Sequence, residues 1–169
     1  MVFVRGNPLD FERWASYDLP KWSYKNVLPY FKKLETWSGG ENLYRGGNGP
    51  LKVNRSKIDD AFPLFKSLIK AAAEAGYDTF EDSNGFKQDG FGTFDVTIDN
   101  GKRQGVSRAY LNEINGQKNL SIEHNTDVSK IIFKEKKAIG VEVKRNNHSE
   151  IYYCNKEVIL SSGSINSPK

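Results

Sequence analysis

Cysteine, methionine and histidine are nearly missing from this chain: one, one and two among 169 residues. A lone thiol, Cys154, provides no disulfide framework and no Cys-x-x-Cys metal or redox pair. His124 and His148 stand far apart, outside metal-ligand spacing. Neither adjoins a Gly-x-Ser-x-Gly nucleophile motif, so neither a metal centre nor a catalytic triad is expected. Long apolar runs are missing as well. Nothing approaches the ~18 residues of a membrane-spanning helix, and Met1-Val2-Phe3-Val4-Arg5-Gly6 is too short for the apolar region of a signal peptide. Nor does one sign of charge dominate. The 25 basic and 21 acidic residues leave a net charge of +4. The densest basic run, Lys134-Glu135-Lys136-Lys137, reads as a polar hairpin tip, and no nucleic-acid partner is expected.

What is present is a globular composition, 37% hydrophobic and 27% charged, long enough for a core. Residues 1–6 read as a strand end and a glycine turn. Asn7-Pro8-Leu9-Asp10 then starts a helix, with Asn as cap, Pro at the first position and an acid in the first turn. Ser23 is expected to cap a second helix carrying Val27, Leu28, Phe31 and Leu34, with Pro29 inside its pattern. Leu51-Lys52-Val53 reads as a short strand. Phe62, Phe65, Leu68, Ile69, Ala72 and Ala73 form one helical stripe that Gly76 stops. Residues 77–90 are loop. Phe91 to Ile98 alternates like a strand, and Asp99-Asn100-Gly101 is a hairpin turn, since Asn-Gly tolerates positive φ. Ser107 to Ile114 reads as a short helix capped by Ser107. Beyond it strands are expected at 119–124, 127–133, 138–145, 149–154 and 156–160. Helices in front and a β-meander behind give a mixed α/β (α+β) fold class.

Few constellations here could carry chemistry. Asp59-Asp60 and Glu81-Asp82 read as solvated helix-start and loop charges. The stretch Gly46-Gly47-Asn48-Gly49 lacks the Lys-Ser/Thr of a P-loop and the Gly-x-Gly-x-x-Gly of a dinucleotide fingerprint, so it reads as a surface loop. The sequons at Asn54, Asn119 and Asn147 say little about compartment. The exception is the segment from Glu157-Val158-Ile159-Leu160 into Ser161-Ser162-Gly163-Ser164. A buried strand there would end in a small-residue turn. Ligands of open α/β sheets sit at such strand ends, where glycine lets backbone come close. The segment stops at Lys169 in mid-motif and reads as a piece of something larger.

Several stretches together resemble the glucose–methanol–choline (GMC) flavin oxidoreductases. Met1-Val2-Phe3-Val4-Arg5-Gly6-Asn7-Pro8 is similar to the tail of the family's first signature. Trp22-Ser23-Tyr24, Gly49-Pro50-Leu51, Asp89-Gly90-Phe91-Gly92, Gly101-Lys102-Arg103 and Ala109-Tyr110-Leu111 follow in family order. Gly163-Ser164-Ile165-Asn166-Ser167-Pro168 resembles the opening of the second signature, although Lys169 stands where the family often has Gln. The resemblance implies FAD as cofactor and a small-molecule alcohol as substrate. It implies a Rossmann-like FAD-binding domain with a β-meander (residues 1–20 and about 119–169), and a mixed region at about 21–118 that includes part of the substrate-domain wall. The cofactor-facing residues it implies are Met1 and Val2 beside the flavin, Val128 holding the adenine through its backbone, and Gly163 at the strand end. The family's Gly-rich FAD loop is expected upstream of these residues and its catalytic His pair, or His and Asn, downstream. No residue of this chain is therefore assigned as catalytic.

Overall fold

The computed structural model describes residues 1–56, 63–146 and 148–168. Asp59, Asp60, Phe62, Asn147 and Lys169, which figure in the expectations above, lie outside these. Two compact units divide the chain, Met1–Gly116 and Gln117–Lys169.

In the first unit, β1 (Val2–Phe3) leads into α1 (Pro8–Ser16) through Gly6 and Asn7. The Asn7 carboxamide accepts from the Leu9 N–H at 2.9 Å, which satisfies one of the donors a helix start leaves open. A single turn, Pro20–Trp22, precedes α2 (Tyr24–Leu34). Ser23 stands at the cap position, but its side chain bonds nothing there. Glu12 of α1 accepts the Tyr24 N–H instead, at 3.0 Å, so the cap comes from the neighbouring helix. Pro29 sits inside α2, which runs on past it. Phe11 joins the two helices, with its ring edge-on to Phe31 at 5.6 Å and to Trp14 at 5.4 Å.

α2 turns directly into a strand that periodicity alone does not reveal, β2 (Glu35–Trp37). It pairs in parallel with β3 (Leu51–Arg55), Thr36 opposite Lys52. The connection between them is not a surface loop. Gly46 and Gly49 are buried, and a Cβ on Gly46 would fall 1.8 Å from the Lys32 carbonyl oxygen. Trp37 N–H donates to the Gly46 carbonyl and Gly49 N–H to the Glu35 carbonyl, both at 2.9 Å. The glycines are there because backbone lies against backbone.

β4 (Asp95–Val96) completes a four-stranded sheet in the order β1-β4-β3-β2. The alternating stretch 91–98 thus yields only this short strand and the start of a hairpin, β5 (Ile98–Asp99) and β6 (Lys102–Arg103). The hairpin turns at Asn100 (φ +48) and Gly101 (φ +70) as the sequence predicts. Residues 107–114 are helical, but Ser107–Leu111 is a π-turn that continues into Asn112–Ile114, and Ser107 caps nothing. Trp37, Leu51, Val53 and Ala109 form the apolar core, with Phe3, Leu34 and Tyr110 against it. α3 (Leu64–Glu74) buries only Ala72. Phe65 and Leu68, expected on its buried stripe, are about half exposed.

The second unit is the meander, with β7 (Asp127–Lys134), β8 (Lys137–Arg145) and β9 (His148–Tyr153) in the order 7-8-9. Its antiparallel register runs from Asp127 opposite Lys144 to Lys134 opposite Lys137. Gly140 lets β8 meet β9, since a Cβ there would lie 2.3 Å from the Tyr152 carbonyl oxygen. The segments 119–124 and 156–160, expected as strands, pair with no strand among the described residues. A strand needs a neighbour to take its N–H and C=O groups, and composition alone cannot provide one. Ile159 is accordingly 78% exposed.

Candidate cofactor-facing site

Met1 and Val2 stand in the first unit, Val2 on the edge strand of its sheet and Met1 just before it. Val2 lies opposite Val96, and the Met1 carbonyl accepts from the Thr97 N–H at 2.9 Å. Both side chains face outward, 54% and 61% exposed. Val128 and Gly163 belong to the second unit. Val128 lies opposite Val143 near the start of β7, just before a register shift. β7 is an edge strand, so alternate backbone groups point away from β8 and are free to meet a ligand. Val128 and Ser162 line one groove of about 350 Å³, and Gly163 follows directly at φ +88. A Cβ on Gly163 would meet nothing within 4 Å. An edge strand with free backbone and an open, left-handed glycine fit the contacts expected of a bound dinucleotide. Met1 and Val2 thus fall in the first unit, and Val128 and Gly163 in the second. His124 and His148 lie in exposed positions of the second unit. Among the described residues no cluster could hold a metal ion.

The first unit also contains a polar centre that sequence reading misses. Its largest fully buried side chains are Arg45, Glu35, Val53 and Asn84. The Arg45 fork donates to Glu35 Oε1 from Nε (2.8 Å), and to Asp82 Oδ1 and Asp95 Oδ2 from Nη1 (both 2.6 Å). Arg5 Nη2 reaches the same Glu35 Oε1 at 2.8 Å, and its Nη1 donates to the Tyr44 carbonyl at 2.6 Å. Burial pulls the Arg45 guanidinium down, but its bonds to Glu35 and Asp95 outweigh this and hold it above its ordinary value. Burial prevails at Arg5, which is lowered although Glu35 opposes the shift. Asp82 is therefore not the solvated loop charge expected. The one local signal is a charged residue between β-prone apolar ones, as in Phe94-Asp95-Val96.

An apolar groove of about 570 Å³ lies between α1, the Pro20–Trp22 turn and α2. None of the expected cofactor-facing residues lines it.

The GMC oxidoreductase family profile matches residues 1–169, the whole chain. This chain belongs to the GMC oxidoreductase family. It is 44% identical over 169 residues to mitochondrial choline dehydrogenase of Homo sapiens, covering 100% of this chain and 28% of that protein. With the oxygen-dependent choline dehydrogenase of Staphylococcus xylosus it shares 45% over 174 residues, covering 100% and 30%. Among solved structures, a FAD-dependent oxidoreductase from Chaetomium thermophilum superposes with a TM-score of 0.85 at 27% identity, covering 99% of this chain and 31% of that one. Pyridoxine 4-oxidase from Mesorbium loti gives 0.84 at 26%, covering 90% and 30%. The chain thus spans 28–30% of the curated relatives it matches. The family resemblance, the mixed α/β class and the flavin cofactor read from the sequence are borne out by these matches.

Proposed function

We propose that this chain is part of a FAD-dependent oxidoreductase that oxidises the CH–OH group of a small alcohol, with choline the first candidate substrate. The observation that carries this reading is the match along all 169 residues to choline dehydrogenases at 44–45% identity. Bound FAD supplies the hydride acceptor, and the protein supplies binding, orientation and electrostatics. In this reading Val128 holds the adenine end through free backbone on the edge of β7. Gly163 gives the cofactor close access to a strand end. Met1 and Val2 present an apolar edge to the flavin and keep water from that side. The residues 1–20 and about 119–169 form the cofactor side, and about 21–118 contribute part of the substrate wall. The proton of the alcohol is assigned to no residue of this chain.

The test is to express the complete open reading frame and record its visible spectrum. A flavin band near ~450 nm that bleaches on adding choline or another alcohol supports the reading. Bound flavin that no alcohol in a broad panel bleaches would move the assignment to a non-redox flavoprotein of this fold, such as a lyase. A protein without flavin would leave a scaffold or binding role.

A further inference from the structure

β1 is only two residues long, and its pairing with β4 covers Val2 and Phe3 alone. Two residues of pairing fix an edge strand poorly. The side chain of Asn84 adds what is missing. Its Nδ2 donates to the Phe3 carbonyl at 3.0 Å, and its Oδ1 accepts the Arg5 N–H at 2.7 Å. In an extended chain the C=O of one residue and the N–H two residues on point to the same side. A primary amide, with a donor and an acceptor side by side, satisfies both. Asn84 thus brackets Val4 as a neighbouring strand would.

Asn84 is itself held in place. It is fully buried, and its N–H donates to Asp82 Oδ1 at 2.9 Å. The same Asp82 oxygen takes Arg45 Nη1, and Arg45 also fixes Asp95, the residue opposite Phe3. A continuous chain of bonds therefore runs from the Arg45 guanidinium through the Asp82 carboxylate and Asn84 to the backbone of Phe3 and Arg5.

We propose that Asn84 is a positioning residue for the cofactor: it sets where the Met1–Val2 edge stands and, through that edge, how the flavin is seated. This rests on the reading that Met1 and Val2 face the flavin. Asn84 touches neither substrate nor cofactor in this account and acts only through β1.

The experiment compares three variants of the complete, flavin-loaded protein. Asn84→Ala removes both bonds, to Phe3 in β1 and to Arg5 beyond it. Asn84→Asp keeps the acceptor for Arg5 and loses the donor to Phe3. Ala72→Gly, in α3, is a stability control that leaves the network intact. Backbone hydrogen exchange over residues 2–5, the flavin absorption band and FAD affinity are read beside the melting temperature. Asn84→Ala is expected to speed exchange at residues 2–5 by about tenfold or more, shift the flavin band and weaken FAD binding. Asn84→Asp should lie between it and the parent. Ala72→Gly should lower the melting temperature alone. If Asn84→Ala does not fold, Asn84→Asp decides alone, and an unchanged flavin band in it overturns the proposal. Unchanged exchange at residues 2–5 overturns it too. Faster exchange with an unchanged band and affinity would show that Asn84 fixes β1 while the edge does not seat the flavin, and that also overturns it. A parent protein that binds no flavin would defeat the functional reading itself, a failure visible before any variant is made.

Discussion

The guanidinium of Arg45 lies over the indole of Trp37, 4.4 Å from the ring centroid, in the buried centre of the first unit. One face of the fork thus meets an aromatic ring while its edges meet Glu35, Asp82 and Asp95. This geometry suits arginine and not lysine, because a planar fork can stack and bond at once. Arg45→Met would leave Glu35 with Arg5 as its guanidinium partner and remove the guanidinium from Asp82 and Asp95. Breaking a buried ionic network from one side costs about 3–5 kcal/mol. Arg45→Lys should recover only part of that. Urea denaturation of the complete protein checks both, and a loss below ~1 kcal/mol in Arg45→Met would refute a structural role for the network.

Gly46→Ala should be far worse than Gly40→Ala. At Gly46 the new methyl would meet the Lys32 carbonyl oxygen at 1.8 Å, backbone against backbone, with nothing flexible to yield. At Gly40 (φ +86) it would meet nothing within 4 Å, so the cost there is left-handed strain of about 1–2 kcal/mol. Soluble yield and melting temperature of the two variants, made side by side, decide the matter. Equal effects would mean that the loop is not packed against the end of α2.

The contrast between those glycines also shows what can be read from sequence. Elements fixed by neighbours in the chain were legible: the Asn7-Pro8 start of α1, the Asn100-Gly101 hairpin and the Lys134–Lys137 tip of the meander. Each depends on residues a few positions apart, whose backbone preferences act locally. The polar centre was not legible, because Arg5, Glu35, Arg45, Asp82 and Asp95 come from five separate segments and none of them shows in the chain which others it meets. Pairing is equally nonlocal. The segment 156–160 has the composition of a buried strand and no strand partner among the described residues. Its composition specifies β-propensity, whereas a ladder needs a second strand. The cofactor-facing residues came from the family resemblance, and no spacing within the chain would have singled out Val128 among the residues of β7.

Tyr24 should govern part of the alkaline limit of stability. Burial raises its phenol above the ordinary value of 10, and the nearby Arg5 opposes this without reversing it. The folded protein therefore holds the proton more tightly than the unfolded chain does. The stability linked to it is fully present below pH ~10 and is lost as pH rises through the folded pKa. Tyr24→Phe cannot ionise, so its stability should fall less steeply over that window. Tyr110, shifted the same way by burial, keeps the slope from vanishing. Denaturation midpoints measured from pH 8 to pH 11 test this, and parallel curves for parent and variant would rule it out.

Gly163 and Gly76 offer a matched pair for the cofactor assignment. Both adopt left-handed backbone, at φ +88 and +83, and neither would place a Cβ within 4 Å of any atom. Gly76 follows the end of α3 and has no assigned contact with cofactor. Gly163 follows Ser162, which shares the groove with Val128. Valine at either site should therefore cost a similar strain, about 1–2 kcal/mol, and lower the melting temperature alike. Only Gly163→Val would put bulk where the flavin nucleotide is proposed to come close. Its FAD dissociation constant should rise by about tenfold or more, equivalent to ~1.4 kcal/mol, while that of Gly76→Val stays at the parent value. Titration of the apoproteins with FAD, followed by flavin fluorescence, separates strain from contact. If both variants bind FAD as the parent does, Gly163 is a turn residue only, and the cofactor approaches the second unit elsewhere.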